Sequence, residues 1–157
     1  MAGSDAAERE SAAEGGPRHP GLSPRDVLAS GGWHPRYVRV LITASDGDYG
    51  FAVVDGNGDG AELEEEQWQW EDGPGGRGHW QDGSSSGAGP LGYLPPLVAG
   101  GHIGPAYFAY GRVPGAESVT IEFEQRRYEM PVVSPLGVWG FIREAAGPRP
   151  GLPALVS

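Results

Sequence analysis

The chain has 157 residues, with 21 acidic against 11 basic side chains and a formal charge of -10. That length suits one domain able to bury a core, while so few cations, all of them arginine, cannot assemble the positive stripe that phosphates or anionic lipid require, so neither nucleic acid nor a membrane surface is an expected partner. The absence of cysteine excludes disulfides, thiolate metal sites and a cysteine nucleophile.

Residues 1–21, MAGSDAAERESAAEGGPRHPG, contain almost no large apolar group and cannot bury enough surface to offset their ordering entropy. They predict a disordered acidic tail ahead of a domain over 22–157. The tail also lacks a positive segment followed by an apolar one, and no run in the chain is long enough to span a bilayer, so a cytoplasmic location is expected. The next segment, LSPRDVLASGG, predicts a short helix. Ser23 is the N-cap, Pro24 the first helical residue, Asp26 the partner in a capping box, Leu22 and Val27 a hydrophobic staple, and Gly31 the stop.

From Trp33 the apolar period changes to two. Val38, Val40 and Ile42 predict one face of a strand, and YGFAVV (Tyr49 to Val54) returns across a turn built on Asp46, Gly47 and Asp48. After the acidic loop DGNGDG, EEQWQWE places Glu66, Trp68 and Trp70 on one side and Gln67 and Gln69 on the other. A second hairpin follows through DGPGGRG to a strand carrying Trp80. Residues 83–105, rich in Gly, Ser and Pro, predict a long crossing loop anchored by Tyr93 to Val98. The alternation is cleanest further on, where Val119, Ile121 and Phe123 oppose Thr120, Glu122 and Glu124. Strands around it are separated by the turns PGAE, QR and PLG, and the Pro-broken C-terminus GPRPGLPALVS predicts an irregular strap.

About eight short strands joined by Gly and Pro turns are the pattern of an all-β fold, either a single β-sandwich, Ig-like in type, or a small barrel.

The most specific motif lies within VVDGNGDGAELEEEQWQW. Asp55, Asn57, Asp59, Gly60 and Glu66 match positions of the calcium loop D-x-[DN]-x-[DN]-G-x5-E. Its flanks speak against an EF-hand, because the entering segment reads as a strand and no second hand exists. A local calcium site using Asp55, Asn57, Asp59 and Glu66 is the alternative to a simple hairpin turn, in which Asn-Gly and Asp-Gly tolerate positive backbone angles. The turn is the preferred reading.

Trp68, Trp70 and Trp80 could form a stacking platform for a carbohydrate if their face is open, although aromatic residues at period two more often build a core or its lid. Catalysis is not expected: there is no H-x-x-x-H and no serine placed at a strand-to-helix turn, and Ser84, Ser85 and Ser86 in GSSSG read as linker.

The order of HPRYVRVLITASDGDYGFAVVD, a Trp-bearing strand, SSSGAGP, YFAYGRVPGAESVTIEFEQRRYEMPV and GVWGFIREA resembles small uncharacterised all-β proteins of high-GC actinobacteria over residues 33–145. That resemblance implies the fold and no activity. The expected function is a non-catalytic binding or protein-interaction module for a protein or small ligand. A calcium-binding module using the Asp55 to Glu66 loop is the second reading and a carbohydrate-binding module the third.

Overall fold

The computed structural model describes residues 19–156. Most of the tail expected over 1–21 lies outside the described residues; of its last three, His19 is buried against the domain while Pro20 and Gly21 are exposed.

Among the described residues one α-helix, α1 (Pro24–Ser30), precedes ten strands: β1 (Arg39–Asp46), β2 (Tyr49–Asp55), β3 (Leu63–Asp72), β4 (Gly78–Gly89), β5 (Val98–Ile103), β6 (Ala106–Arg112), β7 (Ser118–Phe123), β8 (Arg126–Pro131), β9 (Val138–Glu144) and β10 (Ala154–Leu155). They form three antiparallel sheets with the orders β1-β2-β3-β4, β5-β6-β9 and β10-β7-β8. The all-β, sandwich-type expectation holds. The barrel alternative does not, because none of the three sheets closes on itself.

The sheets are stacked, and strand periodicity explains how. Along β6, Ala106, Phe108 and Tyr110 point into a core shared with Ile42, Phe51, Val53 and Leu63 of the first sheet. Ala109 points the other way, into a core shared with Val119, Ile121 and Phe123 of the third sheet. β9 divides its residues likewise, with Val138 and Ile142 on one side and Trp139 and Phe141 on the other. β6 and most of β9 are therefore covered on both faces and carry apolar residues at successive positions, while β5 leaves Ala99 and His102 exposed.

The outer face of the first sheet is covered by the N-terminal segment. Leu22 and Val27 pack with Ala52, Val54, Trp68 and Trp80. The helix forms as its sequence dictates: the Ser23 hydroxyl accepts from the Asp26 N–H, Asp26 Oδ2 accepts from the Ser23 N–H at 2.9 Å, and the Gly31 N–H closes on the Val27 carbonyl at 2.8 Å.

Two strand expectations are corrected. Val38, Val40 and Ile42 do not share a face, because a bulge between Val40 and Ile42 reverses the alternation of β1. Val38 and Val40 join the outer core and Ile42 the inner one. Residues 83–105 are not one loop either, since GSSSGAG extends β4 to Gly89, where the backbone pairs with β3, and Val98–Ile103 form β5. The β7–β8 turn is centred on Glu124 and Gln125, both at positive φ (51° and 64°), and the C-terminal strap pairs briefly with β7 through β10. No described helix is long and apolar enough to cross a membrane.

Candidate functional site

The site begins with three strands that each end a sheet. β1 ends the first sheet, β9 the second and β8 the third. The β1 bulge turns Ile42 toward the inner core, and β9 closes onto it at Gly140. A Cβ at that position would stand 2.6 Å from Ile42 Cγ2 and 3.1 Å from Phe51 Cζ, so glycine is what lets the two layers approach. Where the strands meet, a cleft of about 350 Å³ is lined by Leu41 and Ala44 of β1, Met130 of β8, the adjoining Val133, and Val138 and Trp139 of β9. Its walls are mainly apolar, with Thr43 of β1 also among them. Val133 is 56% exposed.

β1 and β9 continue from the cleft to a cluster of carboxylates. Asp46 Oδ2 accepts the Glu144 N–H at 2.8 Å, and Asp48 lies just beyond in the β1–β2 turn. The carboxyl of Glu144 is pushed above its ordinary range, first by burial and then by the negative charges of Asp46 and Asp48. β1 and β9 thus line the cleft along one stretch and carry carboxylates further along.

No protein-family model, curated protein or solved structure matches the chain. Function must therefore be read from the geometry.

The structure does not bring the predicted calcium ligands together. Asp55 is fully buried, and its oxygens are already engaged: Oδ1 accepts from the Gly58 N–H at 3.0 Å, Oδ2 from the Gly60 N–H at 2.7 Å, and Arg39 Nη2 stands 3.6 Å away. Asn57 and Asp59 are exposed, and Asp59 Oδ1 accepts from the Ala61 N–H at 3.0 Å. Glu66 pairs with Ala52, three rungs along the hairpin from Asp55. It also emerges on the outer face with Ala52 and Val54, whereas Asp55 follows Phe51 and Val53 on the inner one. Its oxygens accept the indole N–H groups of Trp33 at 2.9 Å and Trp68 at 3.3 Å. Among the described residues no group of three or more His, Asp or Glu side chains could hold a metal ion. The motif builds a turn, with positive φ at Gly58 and Gly60.

The expected aromatic face is present but covered. Trp70 and Trp80 are direct cross-strand neighbours on β3 and β4. Trp68 is fully buried and Trp80 is 3% exposed. His19 lies flat on Trp70, with ring centroids 4.0 Å apart and planes within 8°. Among the described residues these three indoles form no open platform of the kind a sugar would need.

Two polar features escaped the sequence reading. Glu65 on β3 is buried and accepts the Tyr110 hydroxyl at 2.7 Å. Burial raises its carboxyl above the ordinary range, although the bonds from Tyr110 and Ser86 pull the other way. Glu66 is raised as well, again chiefly by burial. Both glutamates are buried, on opposite faces of a strand that runs Glu64, Glu65, Glu66 without a break. Only the polarity of the run was legible, because each needs a donor distant in sequence. The second feature is His19 itself, whose neighbours lie 29 to 61 residues away along the chain (Asp48, 48 - 19 = 29; Trp80, 80 - 19 = 61).

Proposed function

We propose that the protein is a non-catalytic interaction module whose docking surface is the cleft between β1, β8 and β9, and that its partner is an extended, apolar polypeptide segment ending in basic residues. The supporting observation is the convergence of three sheet-terminal strands on one mainly apolar cleft, with Asp46 and Glu144 further along two of those strands. Terminal strands are where extended peptides add to a fold, with main-chain bonds supplying affinity and side-chain pockets specificity. The carboxylates, on a chain of net charge -10, favour a cationic partner by charge complementarity. Pro131 lacks an N–H on the β8 side, which directs strand addition to β1.

The test uses two labelled peptides of alternating Val and Thr, one ending in two arginines and one in two glutamates, titrated by fluorescence polarisation. The arginine peptide is expected to bind and the glutamate peptide not. Val133→Asp, a change at an exposed position of the cleft, is expected to abolish binding, and Tyr93→Ala, at an exposed position outside the cleft lining, to leave it intact. Equal binding of the two peptides, or an unaffected Val133→Asp protein, overturns the proposal.

A further inference from the structure

The segment that covers the tryptophans does so in the manner of a ligand. The His19 ring is stacked on the face of Trp70, while Trp80 meets it edge-on at 5.3 Å and 85°. The two indoles stand at 78° to each other and form a corner. Opposite that corner, Asp48 Oδ1 lies 2.7 Å from His19 Nε2, and the Pro20 carbonyl lies 2.9 Å from Nδ1. Both ring nitrogens thus face acceptors, and the imidazolium form donates to both. The Pro20 carbonyl also accepts the Trp80 N–H at 3.2 Å.

The strands that carry the walls of this corner are paired independently of His19. Trp70 and Trp80 are held in register by the β3–β4 ladder. The Trp70 indole N–H is occupied by Asp72 Oδ1 at 3.0 Å, which leaves its face free to stack. The turn that carries Asp48 is tied to β3 by a bond from the Trp70 backbone N–H to the Asp48 carbonyl at 2.8 Å. Two perpendicular aromatic rings and a carboxylate, held in place by the sheet, are a preorganised receptor for a flat cation.

We infer that Trp70, Trp80 and Asp48 form a binding pocket for a planar cationic side chain, imidazolium or guanidinium, presented by another polypeptide, and that His19 fills it in cis. The tether explains why the chain's own residue occupies the pocket. Leu22, three residues on, is buried and its N–H is bonded to Ser45 Oγ at 3.0 Å, so His19 is held close at an effective concentration in the millimolar range or above. A partner must displace it, and its apparent affinity falls by the fraction of molecules in which the pocket is open. The pocket lies on the outer face of the first sheet, apart from the lining of the cleft at β1, β8 and β9, although Asp48 also belongs to the carboxylates beyond that cleft.

The test is made on the full chain carrying His19→Ala, with tryptophan fluorescence titrated by the capped peptides Gly-His-Pro-Gly and Gly-Ala-Pro-Gly. The histidine peptide is expected to give a saturable change and the alanine peptide none. In the parent protein the response is expected to be at least tenfold weaker because the pocket is filled, and Asp48→Asn added to His19→Ala is expected to abolish it. Equal responses to the two peptides, equal responses of parent and variant, or no response from a folded variant overturn the inference. If His19→Ala does not fold, His19→Arg and His19→Gln decide the matter. Retention of the parent melting temperature by the arginine variant but not by the glutamine variant supports a cation pocket, and equal losses overturn it.

Discussion

Tyr110 of the middle sheet donates its hydroxyl to Glu65 of the first sheet across 2.7 Å, inside the core where Phe51 and Phe108 also meet at 4.7 Å. A charge-capable group in that position ties the two layers to one register, since a shift of either strand leaves a buried oxygen without a donor.

This pair predicts a pH dependence. Burial raises the Glu65 carboxyl above its ordinary value of 4.5, so the folded protein holds this proton more tightly than the unfolded chain. The associated stability is fully present below the ordinary value and is lost as the pH rises through the folded one. Glu66 and Glu144 act with the same sign. Exposed Glu124 acts with the opposite sign, because the N–H groups of Ala146 and Gly147 lower its carboxyl. Melting temperatures of the parent and of Glu65→Gln, whose amide mimics the protonated acid, are expected to diverge as the pH is raised in steps from 4.5, with the parent falling more steeply. Parallel curves contradict the assignment.

Asp55 predicts a structural cost in place of an ion requirement. Asp55→Ala removes the acceptor of two backbone N–H groups and leaves them unpaired, an expected loss of about 2 to 4 kcal/mol in urea unfolding. Asp59→Ala, at an exposed position, is expected to stay within about 0.5 kcal/mol. Calcium chloride is expected to raise the melting temperature no more than sodium chloride at equal ionic strength. A larger rise from calcium, abolished by Asp55→Asn with Asp59→Asn, restores the metal reading.

Phe123 is buried among Tyr107, Tyr128 and Phe141 in the core between the second and third sheets. Phe123→Ala is expected to cost about 3 to 5 kcal/mol, and Glu122→Ala, at the exposed position beside it, about 0.5 kcal/mol or less. Chemical denaturation of both variants checks the assignment. A greater loss from the glutamate change inverts the face of β7.

Gly140 predicts that the layers tolerate no added methyl group where β9 crosses β1. The nearest atom to a new Cβ, Ile42 Cγ2 at 2.6 Å, belongs to a buried core side chain, so Gly140→Ala is expected to cost about 1 to 3 kcal/mol through overpacking. Thermal unfolding of Gly140→Ala alone and combined with Ile42→Leu, which lacks the Cγ2 methyl, separates the effects. The unbranched Cβ at 42 is expected to recover part of the loss, and additive losses contradict the contact.

What the sequence by itself determined is local. The capping box at Ser23 and Asp26, the alternation of Val119, Ile121 and Phe123, the shared side of Trp68 and Trp70, and the glycine-relieved turn after Asp55 follow from backbone preferences and periodicity within a few residues. What only the tertiary structure decided depends on groups far apart in the chain. A single bulge at β1 sends Ile42 to the face opposite Val40, which no strict period of two anticipates. GSSSGAG joins a strand because ladder bonds to β3 are made by the backbone and need no apolar side chain. The fate of the carboxylates was decided in the same way: Asp55 turned onto its own loop, Glu65 met Tyr110, and Glu66 met Trp33. His19, in a stretch too polar to predict any order, is held because two indoles and a carboxylate from three other segments converge where the chain passes. Composition measures what a segment can bury alone, and docking depends on the surface that awaits it.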